Sequence, residues 1–128
     1  MRIVIAGAGE IGFFLAKKLS FEKHDLVLID QDPDTCQKVQ SQLDVSIVQG
    51  SASSQDTLRE AGLKSADMFV GVTGVDEVNI VACLIAERMG VEFKIARVKN
   101  PGFLGEDSLV KPKELDIDLL IHPEEEAI

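Results

Sequence analysis

The chain has 128 residues, 45% of them hydrophobic and 27% charged, and carries a formal net charge of −9. That length suits one domain with a packed core, and no apolar run approaches the roughly 18 residues of a membrane helix, which argues against direct membrane insertion. The acidic balance and an aromatic content of 5%, with no Trp or Tyr, argue against nucleic acid as a partner, because phosphate contacts need cations and single strands need stacking platforms.

The N-terminus opens on Ile3-Val4-Ile5-Ala6, too short an apolar run for a secretory signal, so a cytoplasmic protein is expected. This run is β-branched and ends in glycines, as a strand buried on both faces does. Ile11, Phe14, Leu15 and Leu19 then recur at helical spacing, with Lys17 and Lys18 on the wet side. Leu26-Val27-Leu28-Ile29 predicts a second strand, stopped by Asp30. Asp32-Pro33 reads as a helix start, Asp as N-cap and Pro in the first turn, with Val39 and Leu43 inward.

Val45 to Val48 predicts a third strand, followed by the small-residue loop Gly50-Ser51-Ala52-Ser53. Ser54 caps a short helix to Ala61, closed by Gly62. Met68 to Val72 is a fourth strand, Asp76 to Met89 a long helix ended by Gly90, and Lys94 to Val98 a fifth strand. A helical piece is expected around Leu104 to Leu109, a sixth strand at Leu119-Leu120-Ile121, and a new helix from His122-Pro123-Glu124. Cys36 and Cys83 lie far apart without Cys-x-x-Cys spacing or a neighbouring His. They read as small buried hydrophobes, not as a metal site or a disulfide.

Regular alternation of strands and helices implies βαβ units, whose right-handed crossovers build a parallel sheet. The expected fold is α/β: a Rossmann-like doubly wound parallel six-stranded sheet, order 3-2-1-4-5-6, with helices on both faces. One domain is expected over residues 1–122, and residues 123–128 read as the start of a following, truncated helix.

The loop Gly7-Ala8-Gly9-Glu10-Ile11-Gly12 follows a strand and opens an amphipathic helix, the context a dinucleotide fingerprint requires. Gly7 allows the tight turn, Gly9 lets backbone N–H groups approach a pyrophosphate, and Gly12 permits close helix–strand packing. The helix N-terminus adds partial positive charge there. Asp30 stands 18 residues beyond Gly12, where a carboxylate accepts both ribose hydroxyls and repels a 2′-phosphate. NAD or NADH is therefore expected, and NADP is not.

Together with Asp30-x-Asp32-Pro33, Gly50-x-Ala52, Val72-Thr73, Asp76-Glu77-x-Asn79 and Ala96-Arg97-Val98, this loop makes a linked set along the whole chain. The set resembles the RCK (KTN, TrkA-N) domain family of bacterial potassium channels and transporters, with the nearest likeness to the first domains of Trk-type regulators. The resemblance implies a nucleotide-sensing part of a cytoplasmic gating ring that takes NAD(H) or ATP/ADP. Carried over, Gly7, Gly9, Glu10, Ile11 and Gly12 would face the phosphates and Asp30 the ribose. Ser51 and Ala52 would lie near the adenine edge, Thr73 and Asn79 would border the second half-site, and Arg97 would point toward the phosphates. Ser51 is a departure, since many RCK domains carry Asp there; Trk-type first domains often lack it.

Several residues keep a second reading. Arg97, with Lys99 assisting, serves either terminal phosphates or a surface ion pair. Thr73-Gly74 either contacts a ribose or forms the turn, Asp76 could be a helix N-cap, and Asn79 is a ligand or a loop tether. Close to a polyphosphate Glu10 repels, so proximity alone is expected of it. His24 reads as a solvated loop residue and His122 as a helix-start residue, neither catalytic.

The helix Val78 to Ala86 is apolar around most of its axis, which predicts a second buried side. A subunit contact is expected there, with Ile80 outward, as part of a homo-oligomer, dimer or higher. The leading expectation is a non-enzymatic regulatory module, held at the inner face of the membrane by an integral Trk potassium channel subunit. The alternative is the cofactor-binding domain of an NAD-dependent dehydrogenase, which would need a substrate pocket and a general acid or base.

Overall fold

In the computed structural model, which describes residues 1–100, 102 and 107–122, the chain alternates strands and helices. The order is β1 (Arg2–Ala6), α1 (Glu10–Leu19), β2 (Asp25–Asp30), α2 (Pro33–Gln42), β3 (Ser46–Gln49) and α3 (Gln55–Glu60), then β4 (Met68–Gly71), α4 (Asp76–Arg88), β5 (Phe93–Arg97) and β6 (Leu119–Ile121). Short 3-10 turns at Leu63–Ser65 and Pro112–Leu115 complete the described elements. The strands pair in parallel in the order β3-β2-β1-β4-β5-β6. This is the expected doubly wound Rossmann-like sheet.

Central strands of such a sheet are covered on both faces and must be apolar on both. In β1, Ile3 and Ile5 face α1 and α2 beside Leu26, Leu28, Ala16 and Val39. Val4 and Ala6 face the opposite layer with Val27, Ile29, Leu58 of α3 and Ile80, Ala82, Cys83 and Ala86 of α4. Local chemistry sets the helix starts. Asp32 accepts from the Asp34 N–H at 3.3 Å with Pro33 at the first position, and Ser54 accepts from the Thr57 N–H at 3.4 Å.

Some details differ from expectation. Phe14 is 58% exposed, because the small Gly12 and Ala16 form the buried line of α1 and let the helix lie close to the sheet. Lys18 Nζ instead covers the Phe14 ring, 5.4 Å from its centroid. Ile80 is buried in the core under α4; the outward apolar residue of that helix is Val81. His24 is half-buried, with Nε2 3.4 Å from Glu22. Of the helical piece expected over 104–109, only residues 107–109 are described, and they are not helical. The helix expected beyond His122 lies outside the described residues.

The Lys94 ammonium is sealed inside. Lys94 Nζ sits 2.7 Å from Glu87 and 3.4 Å from Asp118 and donates to the Val91 carbonyl at 3.0 Å. This ties the lower end of α4 to β5 and to the residue before β6. No helix among the described residues is long and apolar enough to cross a membrane.

Candidate nucleotide-binding cleft

In an open α/β sheet, ligands sit at the carboxyl ends of the strands where the strand order reverses. Here that point lies between β1 and β4, and it opens into a cavity of about 490 Å³. Its near wall is the glycine loop, Ile29 and Asp30, with Gln31, Gly50 and Ala52 beside them. Its far wall is Val72 to Val75, Val78 and Arg97.

The near wall is made of main chain. Gly7 has φ +101°, a left-handed conformation reserved for glycine, and donates to the Ile29 carbonyl at 2.7 Å. A Cβ on Gly12 would lie 2.8 Å from the Gly7 carbonyl carbon and nearer still to its oxygen, so this glycine serves packing. Gly12 is buried and does not line the cavity. A Cβ on Gly9 would meet nothing within 4 Å, which leaves its backbone open to a ligand. Gly9 is also the N-cap of α1, without a side-chain cap, so the first-turn amides present their partial positive charge to the cavity.

Asp30 joins this loop to the tip of β2. Its Oδ2 accepts from the Ala8 N–H at 2.8 Å and its Oδ1 from the Asp32 N–H at 2.9 Å. Each carboxylate oxygen keeps a further lone pair. Asp32 itself caps α2 and binds the Thr35 hydroxyl at 2.8 Å, as its N-cap reading anticipates.

Of the residues singled out in the sequence, Gly7, Gly9, Glu10, Ile11, Asp30, Ala52, Thr73 and Arg97 line the cavity, while Gly12, Ser51 and Asn79 do not. Ser51 shares a hydrogen bond with the Ser53 hydroxyl at 2.9 Å and accepts from its N–H, which is a turn-forming role. Asn79 is fully buried and binds the Thr73 and Arg97 backbones, so it is a tether rather than a ligand group. Asp76 is not an N-cap. Its carboxylate accepts from the Lys99 and Asn100 N–H groups, and Lys99 lies outside the cavity wall.

Arg97 ends β5 with its Nε buried and without a hydrogen-bond partner among the described residues. A buried donor left open costs free energy unless a ligand or water satisfies it. The surface ion pair considered for this residue is not formed among the described residues. His122 Nδ1 lies 3.2 Å from the Val98 carbonyl, away from the cavity.

Sequence reasoning gave no site role to Ile29, Gln31, Val72, Val75 or Val78, and quoted Gly50 only as part of the motif set. Their signal was positional, because they follow or flank the carboxyl ends of strands that feed the cleft, or, for Val78, lie in the first turn of the helix that leaves it.

Residues 3–123 match the model of the TrkA-N domain. The chain belongs to the TrkA-N domain family. It is 44% identical over 124 residues to a Trk system potassium uptake protein TrkA homolog of Archaeoglobus fulgidus, covering 97% of this chain. It is 39% identical over 127 residues to the Trk system potassium uptake protein TrkA of Vibrio alginolyticus, covering 98% of this chain. The chain spans 28% of the length of each of these relatives.

Solved structures agree on the fold. The TrkA-N domain of the Escherichia coli inner membrane protein ybaL superposes with a TM-score of 0.83 at 19% identity, covering 98% of this chain and 90% of that one. The Shewanella denitrificans Kef C-terminal domain in AMP-bound form gives 0.77 at 20% identity, covering 99% and 75%. The GsuK channel bound to NAD gives 0.75 at 23% identity, covering 94% and 21%.

Proposed function

We propose that this TrkA-N domain is the nucleotide-binding regulatory module of a bacterial potassium uptake system, and that its cleft takes NAD or NADH, or alternatively ATP or ADP. One observation carries the reading: an uncapped helix N-terminus at an open glycine, a strand-tip carboxylate and an arginine whose buried Nε has no partner among the described residues all border one cavity. The amides suit a diphosphate, Asp30 suits the adenosine ribose, and the Arg97 end suits whatever lies beyond the diphosphate. The Trk relatives and the NAD- and AMP-bound neighbours support the same assignment.

Regulation without catalysis follows from linkage. A nucleotide that prefers one of two arrangements of the assembly shifts the equilibrium by its differential affinity and needs no chemical step. The module would act at the inner face of the membrane through an integral potassium channel subunit, within a homo-oligomer. The support for a subunit contact through α4 is Val81, 39% exposed and flanked by half-buried Val78, Leu84 and Ile85. Val81→Glu is expected to leave folding intact and to lower the oligomer mass seen by light scattering; an unchanged mass removes α4 from the interface.

Thermal and equilibrium titrations with NAD, NADH, ATP, ADP and NADP test the ligand. A binding nucleotide at one hundred times its dissociation constant stabilises by about 2.7 kcal/mol. NADP is expected to bind most weakly, because its 2′-phosphate meets the Asp30 carboxylate. Equal affinity for NADP and NAD overturns the role given to Asp30. Hydride transfer between NADH and keto acids would overturn the regulatory reading.

A further inference from the structure

The opening turn of α4 carries two buried polar side chains, Asp76 and Asn79, and neither touches the cavity. Asn79 fastens the strand exits that form its far wall, and Asp76 fastens the segment just beyond Arg97. Asn79 Oδ1 accepts from the Thr73 N–H at 2.9 Å and from the Thr73 hydroxyl at 2.7 Å. Its Nδ2 donates to the Thr73 carbonyl at 3.1 Å and to the Arg97 carbonyl at 2.8 Å. That is the full capacity of a primary amide, two lone pairs and two hydrogens. The Asp76 carboxylate accepts from the Lys99 N–H at 2.9 Å and the Asn100 N–H at 2.7 Å.

The chemistry of the pair is matched to the strand exits. Toward Thr73 and Arg97 the bracket must both donate and accept, which an amide does and a carboxylate does not. Toward Lys99 and Asn100 it meets two N–H groups, which a carboxylate satisfies alone. Strands β4 and β5 are adjacent and paired only as far as Gly71 and Ala96. Beyond that pairing, Asn79 is the side chain that binds the Thr73 backbone and the Arg97 carbonyl together.

We propose that Asn79 and Asp76 are positioning residues for the far half of the cleft: Asn79 holds Thr73 and the Arg97 backbone directly, and Asp76 holds the Lys99–Asn100 segment that follows Arg97, for the part of a nucleotide that extends past its first phosphate. Binding of adenosine monophosphate, which spans only the Asp30 and glycine-loop half, does not depend on them. A loop that is no longer held in its binding arrangement must be ordered by the ligand itself, and affinity falls by that ordering cost. Only ligands that reach the loop bear it. This inference rests on the nucleotide reading of the cleft.

The test is a comparison of ligand lengths. Isothermal titration of the purified full chain with AMP, ADP and NAD is repeated for Asn79→Ala and for the milder Asp76→Asn, which keeps one of the two amide acceptors and serves if the first variant does not fold. The expected result is a rise in Kd of about tenfold for NAD and ADP, the cost of the ligand ordering the released loop, with the AMP Kd unchanged within twofold. Equal losses for AMP and NAD would reveal a merely structural role and overturn the proposal; so would unchanged affinity for all three ligands. If the unaltered protein binds none of the three, the nucleotide reading itself fails and this inference falls with it, an outcome distinct from the other two.

Discussion

The two halves of the cleft are held together by different means. Around β1, α1 and β2, main chain meets main chain: Gly7 donates to the Ile29 carbonyl, Gly12 presses on the Gly7 carbonyl, and one side chain, Asp30, closes the arrangement. Around β4, α4 and β5, buried side chains do the fastening: Asn79 bridges the two strand exits and Asp76 ties α4 to the segment after β5. The near half is fixed by what is missing, namely Cβ atoms, and steric exclusion leaves it no alternative. The far half is fixed by polar groups whose bonds have a finite strength and can exchange for other partners. Under the proposed nucleotide-sensing function, the near half supplies a seat that does not change and the far half a wall whose arrangement a ligand can bias.

The contrast is broken most severely at Gly12. Alanine there puts a methyl group against the Gly7 carbonyl, and both partners are backbone. Overpacking of this kind costs on the order of 3 kcal/mol or more when nothing can move aside. Gly12→Ala is expected to lose most of its urea-unfolding midpoint or to fail to fold. Gly9→Ala has open space around the new methyl and an ordinary φ of −73°. Its stability should stay within about 0.5 kcal/mol of the original, while nucleotide affinity drops because the methyl stands on the cavity wall. Should both variants unfold alike, or both fold normally, the steric account of the near half is wrong.

The same contrast explains what the sequence made legible. Glycine spacing after a β-branched run has few explanations, so the loop, Asp30 and the strand order could be read before any coordinates. An Asn or Asp in the first turn of a helix has many ordinary roles, as cap, solvated residue or turn former. Asp76 was therefore visible as a position but not as a bracket, while Asn79 was readable as a ligand or a loop tether without anything to choose between them. Phe14 and Ile80 failed for a related reason. Periodicity marks an apolar stripe, but it does not say that Gly12 and Ala16 will occupy the buried line and turn Phe14 outward, or that the outward apolar residue of α4 is Val81 rather than Ile80. Gln31, Val75 and Val78 line the cavity because of where strands end, which composition alone does not reveal.

The smallest effect compares the two halves through their thiols. Cys36 lies on α2 with its Sγ 3.4 Å from the Asp30 carbonyl, and Cys83 lies within α4, 3.9 Å from the Ile95 carbonyl. Burial pushes the Cys83 thiol up from its ordinary 9.0 to about 12; Lys94 opposes the rise, and Asp118 and Asp116 add to it. Burial also raises Cys36, with the charges of Asp30 and Asp32 adding to it. A folded-state pKa above the unfolded one gives stability that is complete below pH 9 and lost as the pH climbs toward the folded value. Between pH 8 and pH 10 Cys83 alone should lower the unfolding free energy by about 1.4 kcal/mol. Lys94 does not interfere in this window. Burial opposes its charge, but Glu87 and Asp118 outweigh that and raise it above its ordinary 10.5, so its contribution begins to fade only above that pH. Urea unfolding at pH 8, 9 and 10 should therefore show a decline that Cys83→Ala largely flattens and Cys36→Ala reduces less. A decline untouched by Cys83→Ala would mean that water reaches the interior of α4, and the far half would then be looser than its hydrogen bonds imply.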